Sequence, residues 1–171
     1  SVPVLILLSF LALLIKIDTG PAASASPNGL SPAAASDSNG DGVADVVYAG
    51  DLNGNLWKFD ISAAAPASWG MGNGGLPLFT AGTGQSITAR PDVTRFPNGG
   101  YLISFGTGRY MAAADTTDTP VETKYGIRDT LVNGPVTLTQ MQQQGVAQNV
   151  SGTDGNAYRH NHHASGQPSA P

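Results

Sequence analysis

Asp37-Ser38-Asn39-Gly40-Asp41-Gly42-Val43-Ala44-Asp45 sets an oxygen-bearing group at every second position, and Val46-Val47-Tyr48-Ala49 comes directly after it. Calcium is a hard cation that takes about 6–8 oxygen ligands, and a short loop supplies them from its positions 1, 3, 5, 7 and 9. Those positions hold Asp37, Asn39, Asp41, the backbone carbonyl of Val43, and Asp45, with Gly42 at the sixth, where the chain must turn sharply. Three carboxylates in so short a loop repel one another without a cation, so the stretch reads as a Ca2+ site. The alternative is an ion-free turn, because Asp, Asn and Gly favour turns for local reasons. The residues after the loop decide the fold. An EF-hand places Glu at position 12 and continues as a helix. Position 12 here is Tyr48, inside a β-branched and aromatic run, so the loop leads into a strand.

Working outward, the 171 residues suffice for one domain with a core. Gly 22, Pro 12, only 12% charged residues and Glu122 as the sole glutamate favour strands and tight turns over helices, which makes all-β the expected class. A net charge of -4 without any basic stripe excludes the electrostatic footprint of a nucleic-acid binder. With no cysteine, thiol chemistry and disulfides are excluded as well. His160, His162 and His163 are the only histidines and crowd into a Ser-, Gly- and Pro-rich end, so no Ser-His-Asp constellation can be assembled and no metal geometry is fixed there. Low charge and a loop suited to plentiful calcium lean towards an extracytoplasmic setting.

An internal repeat sets the architecture. Leu14-Ile15-Lys16-Ile17-Asp18 and Leu56-Trp57-Lys58-Phe59-Asp60 match position for position at a spacing of 42 residues. That spacing lies within the ~40–45 residues of a four-stranded propeller blade. Alternation puts Trp57, Phe59 and Ile61 on one strand face and Lys58 and Asp60 on the other. Residues 4–15 are nearly all apolar but too short for the ~20 residues of a membrane-spanning helix. They read as a buried strand, or as a signal-peptide core with Ala23-Ser24-Ala25 as the cleavage-like site; the missing initiator Met reads as a fragment.

The remaining elements come in chain order. Residues 21–36 read as a connecting loop anchored by Leu30. Residues 46–49 and 56–61 form a hairpin, with Asn53-Gly54 suiting a type I′ turn and Asp51 as a turn residue. Trp69 reads as a local packing residue. Leu78-Phe79-Thr80 starts a new strand set, Ser86-Ile87-Thr88-Ala89-Arg90-Pro91 reads as a strand stopped by proline, and Asn98-Gly99-Gly100 turns into Tyr101-Leu102-Ile103-Ser104-Phe105. Gly106-Thr107-Gly108 lacks the third glycine and the Lys-Ser/Thr of a phosphate loop, and close strand packing is the expected reason for its glycines. Tyr125-Gly126-Ile127 leads into another short strand ending near Asp129, and residues 138–144 suggest a helical turn.

Ile17-Asp18-Thr19-Gly20, Pro27-Asn28-Gly29-Leu30-Ser31-Pro32, the oxygen-rich loop, Tyr48-Ala49-Gly50-Asp51-Leu52-Asn53-Gly54-Asn55-Leu56-Trp57-Lys58-Phe59-Asp60, Leu78-Phe79-Thr80-Ala81 and Phe105-Gly106-Thr107-Gly108-Arg109-Tyr110 occur in one series. That series resembles the C-terminal β-propeller of the PilC/PilY type IV pilus tip and biogenesis proteins. The resemblance implies an all-β, partial and modified propeller of four-stranded antiparallel blades over residues 13–158, after an apolar segment 1–12 and before a flexible tail 159–171. It places calcium ligands on Asp37, Asn39, Asp41, Val43 and Asp45. It further implies a non-enzymatic role in pilus extension, retraction and surface adhesion, at the pilus tip, cell surface or outer membrane. The implied partners are pilins or minor pilins and a host or abiotic surface, with no nucleic acid and no small-molecule substrate. Two features depart from such members: no Asp-x-x-Thr-Gly turn precedes residue 13, and Arg128 stands where an aromatic is usual. An integrin-like calcium propeller unrelated to pili suits the loop equally, and a quinoprotein dehydrogenase, suggested by Ile17-Asp18-Thr19-Gly20, lacks a vicinal cysteine pair and a set of catalytic acids.

Overall fold

The computed structural model describes residues 15–19, 28–117, 121–132, 134–151 and 157–163, with 144–151 and 157–163 described by their backbone alone. Two compact units divide the chain, Ser1–Val136 and Thr137–Pro171. Among the described residues every pairing between strands is antiparallel.

The first sheet of the larger unit contains β1 (Ala34–Ser36), β2 (Val46–Gly50), β3 (Asn55–Asp60), β4 (Gly70–Met71) and β5 (Phe79–Thr80), in the order β1-β2-β3-β4, with β5 also paired to β3. β4 meets β3 at Phe59 and Asp60, whereas β5 meets it at Asn55 and Leu56. Because β2 occupies the other edge of β3, these two fragments lie end to end along one edge and together act as a single outer strand. The sheet therefore has the four strand positions of a propeller blade. The second sheet is the meander β6 (Asp92–Arg95), β7 (Tyr101–Gly106) and β8 (Lys124–Asp129).

Burial tracks the register. Val47 faces Phe59 and Ala49 faces Trp57 across the β2–β3 ladder, and this face forms an apolar cluster joined by Ile17 and Met71. Trp57 and Phe59 thus share a face, as their spacing predicts. The opposite face is not left to water. Tyr48, Leu56 and Lys58 are buried there against the face of the second sheet that carries Tyr101, Ile103, Phe105, Ile127 and Asp129. Phe79, Phe105 and Tyr125 form an aromatic group with centroids 4.9–6.1 Å apart. Each large apolar side chain buried in this way contributes about 1.5–3 kcal/mol before conformational entropy is subtracted.

Several sequence expectations need correction. Leu30 is 47% exposed and is tied in by its backbone, as a bridge to Asp51, rather than by its side chain. Residues 34–36, expected to be loop, form β1, since small Ala and Ser side chains do not prevent pairing with β2. Residues 86–91 form no strand; Ile87 makes a single bridge to Gly108, and the strand starts only after Pro91. The β2–β3 turn is not type I′, because Gly54 has φ +80° while Leu52 and Asn53 keep negative φ. With Gly54 N–H donating to Asp51 C=O at 3.2 Å, it is a type I turn ending in a left-handed glycine. Ile15–Thr19 has no strand assignment, although Ile17 packs on the first sheet as the repeat suggests. Gly106 has open space where a Cβ would stand, so close packing does not explain it, whereas Gly108 has φ +139°.

The smaller unit holds a 3-10 turn at Leu138–Gln140 and a hairpin of β9 (Gln144–Ser151) and β10 (Ala157–His163). The helical turn is thus shorter than expected, and β10 extends into the segment read as a tail. The readings for residues 1–14 lie outside the described residues. No helix among the described residues is long and apolar enough to cross a membrane.

Candidate metal centre

Residues 37–45 are the loop of the β1–β2 hairpin, so the oxygen-rich stretch is flanked by strands on both sides. Its base is closed by Asp45 N–H donating to Ser36 C=O at 3.0 Å, and Ile61 N–H donates to Asp45 C=O at 2.8 Å. Gly40 and Gly42 adopt φ +87° and +89°, the left-handed region that a Cβ disfavours.

The five predicted positions all fall on this one loop, but they do different work. Asp37 Oδ1 accepts from the N–H groups of Asn39 at 3.1 Å and Gly40 at 2.6 Å, and its Oδ2 accepts from Gly42 N–H at 2.8 Å. Asn39 Oδ1 accepts from Asp41 N–H, and Asp41 Oδ1 from Val43 N–H, each at 2.8 Å, giving two successive Asx turns. Asp45, the one buried member, takes the Ser38 hydroxyl at 2.6 Å, the Ser38 N–H at 2.7 Å and the Asn39 N–H at 3.2 Å, all on Oδ2. Val43 exposes its side chain and leaves its carbonyl free of any donor among the described residues.

These donors set the charge state. The Gly42 and Gly40 N–H groups hold the Asp37 carboxyl below the usual carboxylate range, and the Ser38 hydroxyl, with its N–H next in weight, does the same for Asp45. Each carboxylate is turned towards loop N–H groups. Among the described residues no set of three or more acidic or histidine side chains converges in metal-holding geometry. The donor chemistry nevertheless fits a hard cation. Asp41 Oδ2, Asp45 Oδ1 and the Val43 carbonyl accept no hydrogen bond among the described residues, and the loop offers only oxygen, with no N or S ligand for a softer metal.

Sequence reasoning missed three participants. Ser38 orients Asp45, and a hydroxyl at the second loop position was the only signal for it. Arg95 Nη2 donates to the carbonyls of Asp37 and Ser38 at 3.0 and 3.3 Å, and the Tyr101 hydroxyl also donates to the Asp37 carbonyl. Both come from the second sheet, which no local pattern could associate with the loop. A cleft of about 380 Å³ lies beside them, lined in part by Ser38, Arg95, Phe96 and Tyr101.

Two other polar centres are structural. Asp51 is fully buried, and its carboxylate accepts from the Asn53 and Asn55 N–H groups, the Asn55 amide and the Trp57 indole at 2.8–3.0 Å, so its oxygens serve the turn. Between the sheets, Lys58 Nζ lies 2.8 Å from Asp129 Oδ2, which also accepts the Tyr48 hydroxyl at 2.7 Å. Burial first, and Asp129 second, push the Tyr48 phenol far above its usual range and keep it neutral. Arg128, where an aromatic was expected, lies 4.5 Å from the centroid of the Phe96 ring and donates to Asn98 C=O. His160, His162 and His163 lie on β10, of which only the backbone is described.

The family described as the PilY1 beta-propeller domain matches residues 11–157. Over 112 residues the chain is 46% identical to a type IV pilus biogenesis factor PilY1 homolog of Xylella fastidiosa, covering 60% of this chain and 8% of that protein. It is 43% identical over 131 residues to the type IV pilus biogenesis factor PilY1 of Pseudomonas aeruginosa, covering 63% and 11% respectively. The chain therefore spans about a tenth of the length of these curated relatives. Among solved structures, the crystal structure of the Pseudomonas aeruginosa PilY1 C-terminal domain superposes with a TM-score of 0.67 at 36% identity, over 84% of this chain and 35% of that one.

Proposed function

The chain belongs to the PilY1 β-propeller family, and from that premise we propose that it is a Ca2+-binding part of a type IV pilus biogenesis factor. In this reading it is a non-enzymatic propeller module at the pilus tip, cell surface or outer membrane. Its ion would help control pilus extension and retraction, and with them surface adhesion. Its partners would be pilins or minor pilins, and a host or abiotic surface.

One observation carries the calcium half of the proposal. A single hairpin loop sets three Asp carboxylates, an Asn amide oxygen and a free backbone carbonyl on consecutive odd positions, around two glycines already in the left-handed region. Asp37, Asn39, Asp41, Val43 and Asp45 would hold the ion. When bound, it supplies a positive centre that relieves the repulsion among the carboxylates and ties β1 to β2. The pilus half rests on the family and on the relatives' names.

The test is made in the parent protein. Asp45→Ala should reproduce the effect of calcium depletion on surface-pilus number and twitching motility. Cells carrying Asp45→Ala that pilate and move like wild type at every calcium level would reduce the ion to a structural role and remove the regulatory claim.

A further inference from the structure

We propose that Tyr101 and Arg95 are positioning residues of the metal loop: donors on the second sheet that hold its first carbonyl and make its ion affinity depend on the neighbouring sheet. The inference rests on the calcium reading above and adds to it the part of the molecule that reads the ion.

Asp37 is at once the first ligand position and the acceptor for three loop N–H groups. Its side chain is organised by the loop itself, but its backbone carbonyl is held from elsewhere. Arg95 Nη2 and the Tyr101 hydroxyl reach it from 58 and 64 positions along the chain. The two donors differ in kind. Arg95 is exposed on β6, whereas Tyr101 is 2% exposed and fixed edge-on to Tyr48 at 6.4 Å and 70°. Tyr48 in turn donates to Asp129, which is paired with Lys58. The hydroxyl that meets Asp37 is therefore carried on a ring locked between two sheets.

A glycine-rich loop samples many conformations, and a ligand's apparent affinity falls in proportion to the fraction that is competent to bind. A rigid donor on the Asp37 carbonyl raises that fraction, because it fixes the peptide plane from which the carboxylate projects. Coupling of this kind is reciprocal: if the second sheet tightens the site, the ion must tighten the second sheet. Removing one hydrogen bond of ordinary net strength corresponds to a change in affinity of about threefold to tenfold.

Calorimetric Ca2+ titration of the full chain, combined with amide exchange with and without the ion, tests this. Tyr101→Phe and Arg95→Ala should each weaken Ca2+ binding by about threefold to tenfold, while Tyr110→Phe, at a ring that is 80% exposed, should leave it unchanged. Ca2+ should slow exchange along Tyr101–Gly106 in the wild type and do so less in Tyr101→Phe. Arg95→Ala alters an exposed side chain and keeps the test open if Tyr101→Phe fails to fold. Wild-type affinity in both variants, or a loss of thermal stability that is equal with and without the ion and leaves affinity untouched, would overturn the positioning role while the calcium site stood. A wild-type chain that takes up no Ca2+ would overturn both.

Discussion

At the scale of single residues, the ion pair of Lys58 and Asp129 is the most consequential polar feature that alternation alone could not grade. A strand pattern places Lys58 opposite Trp57 and Phe59 and stops there. It does not say that this second face meets another sheet, so a lysine that would be solvated in a one-sided sheet is instead buried on an aspartate 71 positions away. Breaking a buried pair from one side leaves an uncompensated charge, so Lys58→Met should lower stability by about 3–5 kcal/mol in urea unfolding, with Lys58→Met/Asp129→Leu costing less than the single change. Asp115 makes a prediction in pH. The Met111 and Ala112 N–H groups, with Arg109, hold its carboxyl below the usual range. A depressed folded-state pKa contributes stability that is complete above the ordinary aspartate value near 4 and is lost as pH falls through the depressed value. The Met111 and Ala112 amide resonances should therefore shift on acidification below about pH 4, and Asp115→Asn should abolish that titration.

Among elements, the hairpins were legible where turn chemistry is local and illegible where partners are distant. The β2–β3 hairpin and the β7 and β8 strands can be read from alternation and glycine placement. The turn type could not, because Asn-Gly is compatible with more than one hairpin loop, and the buried Asp51, which accepts the Asn53 and Asn55 N–H groups, selects the type I form with Gly54 alone at positive φ. β1 was missed since Ala34–Ser36 has no strand propensity of its own and exists by pairing with β2. The five oxygen-bearing positions within residues 37–45 could be located because they are continuous in sequence; the contacts that Ser38, Arg95 and Tyr101 make there could not. Gly100 offers an element-scale prediction. Its φ is +78°, and an added Cβ would come 2.1 Å from the Asp129 carbonyl oxygen. Gly100→Ala should loosen the β6–β7–β8 meander, read as a lowered unfolding midpoint and lost amide protection in β7 and β8, whereas Gly99→Ala meets no neighbour and suffers only from its φ of +83°.

For the whole molecule, the 42-residue repeat and the family series predicted blades, and the larger unit supplies one four-position sheet and one three-stranded sheet joined through an aromatic and ionic junction. Blade number and closure are not properties that local patterns carry, because they depend on how faces pair at a distance. β6 and β8 end the second sheet, with no further strand hydrogen-bonded to them among the described residues. Such edges template pairing with other chains, so light scattering should show association that rises with concentration and is reduced by Thr94→Lys, an exposed position on β6. The ion bears on this scale too: with an affinity of ~10 μM and free calcium of ~1 mM, binding would stabilise the folded state by about 2.7 kcal/mol. That linkage exists only if residues 37–45 take up the ion, so the decisive measurement is a calorimetric titration of the chain with Ca2+, repeated with Mg2+ and with Asp41→Ala. One Ca2+ per chain, bound more tightly than Mg2+ and largely lost in Asp41→Ala, is the predicted result; no uptake by the wild type, or uptake unchanged in the variant, would contradict it.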